Sequence, residues 1–206
     1  MTDKNQGNEI EAKFCLLSFQ DIEKKLIEIG GLLIKPRHHE RNLRFDTPHQ
    51  ELTRNHRVLR LRQDKNIHLT FKGAAEHVGG ISKRREIEFQ ANNFTSANKF
   101  LKALGYDVSV IYEKYRTTYQ LDEFEITFDE MPYGLFLEIE GPDVVSIQGC
   151  ANKLDLNWGA RLSESYLTLF YRLKNALNLD FRDLTFENFK GIDIQLEDLA
   201  IQAADQ

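Results

Sequence analysis

An α+β fold is the architecture this 206-residue chain encodes, with antiparallel strands closing or nearly closing into a barrel and helices outside it or across its ends. Three observations point there. Period-two alternation recurs at roughly residues 8–16, 40–46, 56–63, 67–73, 82–90, 111–121, 123–129 and 135–141. Helical periodicity interrupts these strands in three regions. Most strands follow one another through short connections.

The first strand sets Glu9, Glu11 and Lys13 on one face and Ile10, Ala12 and Phe14 on the other. A helix over Ser18 to Ile29 follows, with Ser18 as N-cap, Asp21 completing a capping-box-like start and Gly30-Gly31 as its stop. The third strand alternates Arg60 and Arg62 with Leu59 and Leu61; the fourth alternates His68, Thr70 and Lys72 with Leu69 and Phe71. The Gly73 to Gly80 stretch (GAAEHVGG) reads as a mobile lid or as an ordinary hairpin loop. Strand five opposes Arg84, Glu86 and Glu88 to Arg85, Ile87 and Phe89, and a helix over about Ser96 to Leu104 ends at Gly105. Strand six carries Lys114 and Arg116, strand seven Asp129, and strand eight Glu138 and Glu140 against Leu137 and Ile139. A helix pair over Val144 to Leu154 and Glu164 to Leu177 places Leu167, Phe170, Leu173 and Leu177 at helical spacing, and a last short helix covers Ile192 to Ala203.

With 41% hydrophobic and 29% charged residues, the chain suits one globular domain with at most a small appendage. Residues 1–178 form the expected domain, and 179–206 an extension that docks on the barrel or supports a dimer; monomer and homodimer both fit. Met1 to Asn8 is polar and lacks the apolar core of a signal peptide, and no apolar run approaches the ~18 residues of a membrane span. Cys15 and Cys150 show no CxxC spacing, so both are expected as buried filler in a reducing, cytoplasmic compartment. A net charge of −5 argues against a polyanionic ligand only if the charges are spread evenly.

They are not. Almost every strand has a charged face and an apolar face. A charge-alternating strand ordinarily turns its charges to water. Helices packed outside a barrel need an apolar surface, however, and the apolar faces supply it. The charged faces then turn into the lumen, where ionisable groups are costly unless they meet each other, metal ions or a charged ligand. Glu9/Glu11 and Glu138/Glu140 are i, i+2 carboxylate pairs, hard oxygen donors suited to Mg2+ or Mn2+. No His pair or Cys joins this constellation, which argues against zinc or copper. Lys13, Arg60, Arg62, Lys72, Arg84, Lys114 and Arg116 exceed what one phosphate needs and suit a triphosphate.

The motifs run in order: ExExK (Glu9 to Lys13), RFDTP (Arg44 to Pro48), LRLR (Leu59 to Arg62), LTFKG (Leu69 to Gly73), RREIE (Arg84 to Glu88), EKYR (Glu113 to Arg116), ITFDE (Ile126 to Glu130) and GLFLEIEG (Gly134 to Gly141). Over about residues 8–175 this order resembles the CYTH superfamily, the triphosphate tunnel metalloenzymes, and within it the class IV adenylyl cyclase-like branch. The resemblance implies an eight-stranded antiparallel tunnel that binds triphosphates with Mg2+ or Mn2+. By motif, Glu9, Glu11, Glu138 and Glu140 would hold metal, with Asp129 as a further ligand or a group behind it. The seven cations would hold phosphate oxygens and stabilise the transition state. Glu86 and Glu88 would orient the cations or neutralise them. Arg44 would face the lumen beside Glu40 and Asn42, or pair with Asp46. His38, His39 and His77 read as surface histidines, and Tyr106, Phe124 and Trp158 as packing residues.

The family uses this machinery for two outcomes. Water attacking the terminal phosphorus hydrolyses inorganic triphosphate, ATP or thiamine triphosphate; a ribose 3′-hydroxyl attacking the α-phosphorus of ATP yields cyclic AMP and pyrophosphate. Hydrolysis is the simpler expectation, because cyclisation needs a base and a ribose pocket that no residue here demonstrates. A non-catalytic polyphosphate sensor would gain nothing from four inward glutamates. Binding of RNA 5′-triphosphate ends would call for a basic run interleaved with aromatics, which the sequence lacks.

Overall fold

The computed structural model describes residues 8–78 and 81–206. Its strands are β1 (Asn8–Leu16), β2 (Leu32–Asp46), β3 (Val58–Gln63), β4 (Ile67–Lys72), β5 (Glu76–Val78), β6 (Ile81–Gln90), β7 (Asp107–Leu121), β8 (Phe124–Met131), β9 (Gly134–Glu140) and β10 (Arg161–Leu162). The helices are α1 (Gln20–Glu28), α2 (Glu51–Arg54), α3 (Phe94–Ala103), α4 (Val144–Lys153), α5 (Tyr166–Leu177) and α6 (Leu196–Leu199).

Eight strands run β1-β9-β8-β7-β2-β3-β4-β6, every pair antiparallel. Strand β6 then returns to β1, with Glu9 opposite Arg84 and Glu11 opposite Ser82, so the sheet closes on itself. The ring leaves β10 as a short addition to β1 and β5 as one to β6. This is the α+β ring of antiparallel strands that the alternation predicts.

Closure fixes which face looks outward. On one side Ala12, Phe14, Ile126, Phe128, Leu137 and Ile139 pack against Leu26 of α1 and Ile147, Cys150 and Ala151 of α4. On another, Leu43, Phe45 and Leu61 meet Leu101 of α3. The apolar faces thus take the helical coat, and the charged faces line the lumen. At one end the inward parity itself turns apolar: Cys15, Met131 and Phe136 pack with Tyr166, Leu169, Phe170 and Leu173 of α5. Helix α5 therefore plugs that end of the ring.

The segment after α5 continues the plug. Leu184, Phe189 and Leu199 are buried in the same cluster. Leu184 exchanges backbone hydrogen bonds with Ile111 and Glu113, and the Ala204 amide donates to the Cys15 carbonyl. The Asp205 carboxylate accepts from the Leu17 and Ser18 amides.

Several local expectations change. Strand β2 starts at Leu32 rather than near residue 40; its early half carries Pro36 and two shifts of register against β7, which break the period-two pattern. The α1 N-cap is Phe19 without a side-chain cap, because Ser18 sits one residue early, its Oγ accepting from the Gln20 amide. The helix expected over Ile192 to Ala203 contracts to α6; Ile192, Ile194 and Ile201 reach the core from irregular chain, a use of apolar residues that periodicity does not separate from a helix. Within the Gly73 to Gly80 stretch, β5 pairs with β6, while Gly79 and Gly80, and with them any lid tip, lie outside the described residues.

Candidate functional site

The lumen is a cavity of about 1140 Å³. Of the residues singled out from sequence, Glu9, Glu11, Lys13, Arg60, Arg62, Lys72, Arg84, Glu86, Glu88, Lys114, Arg116, Glu138 and Glu140 all line it. They come from β1, β3, β4, β6, β7 and β9, so only closure of the ring brings them together.

Opposite charges sort into local groups. Lys72 Nζ lies 2.7 Å from both Glu9 oxygens and 2.9 Å from Glu86 Oε2, and Arg84 Nε donates to Glu9 at 3.1 Å. Lys13 Nζ is 3.3 Å and Arg116 Nη2 2.6 Å from the Glu138 carboxylate. Glu88 accepts from Arg62 at 3.1 Å, from Arg60 at 3.4 Å and from the Thr70 hydroxyl at 2.7 Å. Here the acids compensate the bases that would otherwise be buried alone.

The carboxylates do not behave alike. Burial pushes Glu9 up, but Lys72 and Arg84 outweigh it and hold the group at about 2. Burial likewise opposes Glu138, which Lys13, Arg116 and Lys114 keep well below the usual range. Glu11 moves the other way, raised by burial and by the Glu138 and Glu9 charges. Glu140 is pushed up to about 7 by burial and by Glu9, Glu125 and Glu11. Glu11 and Glu140 face each other across the β1–β9 pair, and Glu125 faces Glu140 across β8–β9. Between them lies a pocket of about 30 Å³ lined by Glu9, Glu11, Glu125, Glu138, Glu140, Arg116 and Thr127. That volume admits one or two water-sized bodies. Carboxylate oxygens crowded until they repel one another, around so small a space, fit a hard dication.

Asp129 stands apart. Its side chain is fully buried and does not border the cavity. Lys114 Nζ (2.9 Å), Arg116 Nε (2.6 Å), Arg116 Nη2 (2.5 Å) and the Tyr166 hydroxyl (2.8 Å) all donate to it. That geometry suits fixing two lumen cations from behind rather than ligating a metal.

Four lumen residues went unassigned in the sequence or were left open. Arg44 lines the cavity, and Asp46 instead accepts from the Thr53 hydroxyl and the Thr47, Leu52 and Thr53 amides at the start of α2. Glu125 shares inward parity with Asp129, a signal that was available. Glu40 lies two residues before Asn42 and four before Arg44 on the inward face of β2. Tyr166, on α5, contributes its ring face, with Lys13 Nζ 4.3 Å from its centroid. His38 is corrected: it lines the cavity, with its side chain only 10% exposed, because β2 runs through it instead of starting after it. His39 is exposed; the side chain of His77 lies outside the described residues. Phe124 is buried, and Tyr106 and Trp158 pack against core clusters.

A family model for the CYTH domain matches residues 7–171. The chain belongs to the CYTH domain family. Solved structures agree on the fold. A provisionally assigned adenylate cyclase from Vibrio parahaemolyticus superposes with a TM-score of 0.71 at 21% identity, covering 79% of this chain and 97% of that one. The PH1012 protein of Pyrococcus horikoshii gives 0.67 at 23% identity over 78% and 98%. HpAC1 from Hippeastrum, a provisionally assigned adenylyl cyclase described as having a dominant triphosphatase activity, gives 0.59 at 17% identity over 79% and 95%. No curated protein matches this CYTH chain. No helix among the described residues is long and apolar enough to cross a membrane.

Proposed function

We propose that this CYTH protein is a divalent-metal-dependent enzyme that hydrolyses the terminal phosphate of inorganic or organic triphosphates. One observation carries the proposal: a closed lumen in which a crowded carboxylate pocket adjoins a set of buried lysines and arginines. An anion binder alone has no use for Glu9, Glu11, Glu138 and Glu140 around a 30 Å³ pocket.

In this proposal those four carboxylates hold Mg2+ or Mn2+, with Glu125 beside them. When bound, the ion supplies charge neutralisation on the triphosphate and lowers the pKa of an attacking water. The protein's own residues supply the remainder. Lys72 and Arg84 rest on Glu9, and Lys13 and Arg116 on Glu138. Were these carboxylates engaged by a dication, the paired cations would be free for phosphate oxygens, which would couple substrate and metal affinities. Arg60 and Arg62 present planar donor forks from β3, with Glu88 behind them, and can grip a phosphate bidentately. Asp129 holds Lys114 and Arg116 in place, which keeps donors aimed where charge develops in the transition state. The start of α5 also opens on the cavity through Ser165 and Thr168.

The second reading is cyclisation of ATP, favoured by the names of the Vibrio and Hippeastrum neighbours and by a cavity roomy enough for a whole nucleotide. Hydrolysis is preferred because it asks only for triphosphate and metal binding, which the lumen residues suit, and because the Hippeastrum protein is described as having a dominant triphosphatase activity. The deciding experiment incubates inorganic triphosphate, ATP and thiamine triphosphate separately with Mg2+ or Mn2+ and measures phosphate, pyrophosphate and cyclic AMP. Phosphate without cyclic AMP is expected; cyclic AMP with equimolar pyrophosphate would replace the first reading by the second.

A further inference from the structure

A second group of ligating side chains lies on strands that contribute nothing to the carboxylate pocket. His38 and Glu40 project from β2, Asp64 sits in the β3–β4 turn, and His68 begins the inward face of β4. Ligand atoms of His38, Glu40 and Asp64 all lie within 4.8 Å of one another. His38 Nε2 is 3.4 Å from Glu40 Oε1 and 3.9 Å from Asp64 Oδ2, with side chains 10%, 2% and 5% exposed. Four-coordinate dication sites with bonds of about 2.0–2.2 Å space neighbouring ligands by about 3.3–3.6 Å; the His38–Glu40 gap already matches, and the wider gaps, up to 4.8 Å, close by side-chain adjustment when an ion binds.

The hydrogen-bond pattern around the cluster is what asks for a cation. His38 Nδ1 lies 2.9 Å from the Pro36 carbonyl, a contact that places the proton on Nδ1. Nε2 then faces two carboxylates. A ring nitrogen held by a backbone carbonyl while the other faces acids is the arrangement that orients metal-binding histidines. Asp64 is oriented too: its Oδ1 accepts from the Asn66 amide at 2.6 Å, which leaves Oδ2 toward His38.

Two further groups are left wanting. His68 is 8% exposed, yet neither ring nitrogen makes a hydrogen bond; Nε2 lies 4.0 Å from Asp64 Oδ1, and Nδ1 lies 3.0 Å from Glu88 but out of line for one. Glu40 Oε2 is buried without a hydrogen bond. Arg62 and Lys114 each stop 3.7 Å from Glu40, while their closer partners are Glu88 and Asp129. A proton on His38 would satisfy one contact and leave His68 and Glu40 Oε2 as they are. A cation would engage His38, Glu40 and Asp64 together and give His68 Nε2 a partner.

We infer that His38, Glu40 and Asp64, with His68 as the nearest fourth ligand, form a second metal site, selective for a borderline transition dication such as Zn2+ or Co2+ over Mg2+. Two imidazoles and two carboxylates suit those ions, whereas Mg2+ prefers an all-oxygen octahedron. Its place in the fold gives it a structural role: it ties β2 to the β3–β4 turn beside Arg62. The inference stands whether or not the protein hydrolyses triphosphates.

The test uses metal-stripped full-length protein in millimolar Mg2+, which fills the hard-oxygen pocket, titrated with Co2+ and followed by visible absorption, with Zn2+ as competitor. One equivalent of Co2+ is expected to bind with the spectrum of a four-coordinate site and to be displaced by Zn2+. His38→Gln and Asp64→Asn should each weaken binding by about 10- to 100-fold, and Glu138→Gln should leave it unchanged. Thermal melts in chelator confirm that the variants fold; His68→Gln repeats the comparison should either fail. Absence of a stoichiometric Co2+ site, full affinity in the folded His38 or Asp64 variant, or loss in Glu138→Gln alone would overturn the assignment.

Discussion

Replacing Asp129 with alanine separates two roles that the sequence leaves together. The carboxylate is completely buried and accepts from Lys114, twice from Arg116 and from Tyr166. Hydrogen bonds to a charged group contribute about 1.5–3 kcal/mol each, but the four are not additive. Arg116 keeps Glu138 at 2.6 Å, whereas Lys114, 3% exposed, loses its hydrogen bond to Asp129 and falls back on Glu40 at 3.7 Å. Breaking a buried ionic group in this way costs about 3–5 kcal/mol, a large share of the ~5–15 kcal/mol that holds a domain folded. At roughly 2–4 °C per kcal/mol for a chain of this length, Asp129→Ala should melt about 10 °C lower, with a matching fall in the urea midpoint. The dependence of activity on Mg2+ should keep its midpoint even as turnover drops. A variant as stable as the parent that needs far more Mg2+ would refute the anchoring role and return Asp129 to the metal.

Three further outcomes are expected. Glu138→Ala should lower phosphate release by about a hundredfold or more, the scale of removing a preorganised electrostatic element; parental turnover at physiological Mg2+ would remove Glu138 from the site. Asp46 is held below the usual aspartate range: burial opposes, and the Thr53 hydroxyl with the Leu52, Thr53 and Thr47 amides prevails. A depressed acid stabilises above its unfolded pKa of 3.8 and loses that contribution as pH falls through the lower folded value, so Asp46→Ala should cost about 1–2 kcal/mol at pH 7, and the gap between urea midpoints should narrow below pH 3.8; a gap constant with pH would mean the carboxylate charge is idle. Deleting residues 179–206 removes Leu184, Phe189 and Leu199 from the end plug, about 1.5–3 kcal/mol each, and should give a protein that binds a hydrophobic dye and no longer unfolds cooperatively; a soluble, cooperative truncate would show the segment to be dispensable.

What the sequence discloses here follows from what a period can carry. Arg60/Leu61/Arg62 and Glu138/Ile139/Glu140 keep strict alternation, so one premise, apolar faces outward under helices, places all of them in the lumen at once. Residues that break the period stay hidden. His38 lies just past Pro36 and a register shift, where β2 does not look like a strand, and its partner Asp64 is in a turn with no alternation at all. Tyr166 reads as helix core because α5 is apolar along the face that plugs the ring. Asp129 is the instructive middle case: parity turns it inward correctly, yet parity says nothing of depth, and depth decides whether a carboxylate meets a metal or a lysine. The two proposed metal sites divide along the same line. Glu9, Glu11, Glu138 and Glu140 are legible because each pair lies within one regular strand, whereas the His38–Glu40–Asp64–His68 group exists only once β2 pairs alongside β3 and reaches the β3–β4 turn, and its proposed donors are nitrogen as well as oxygen.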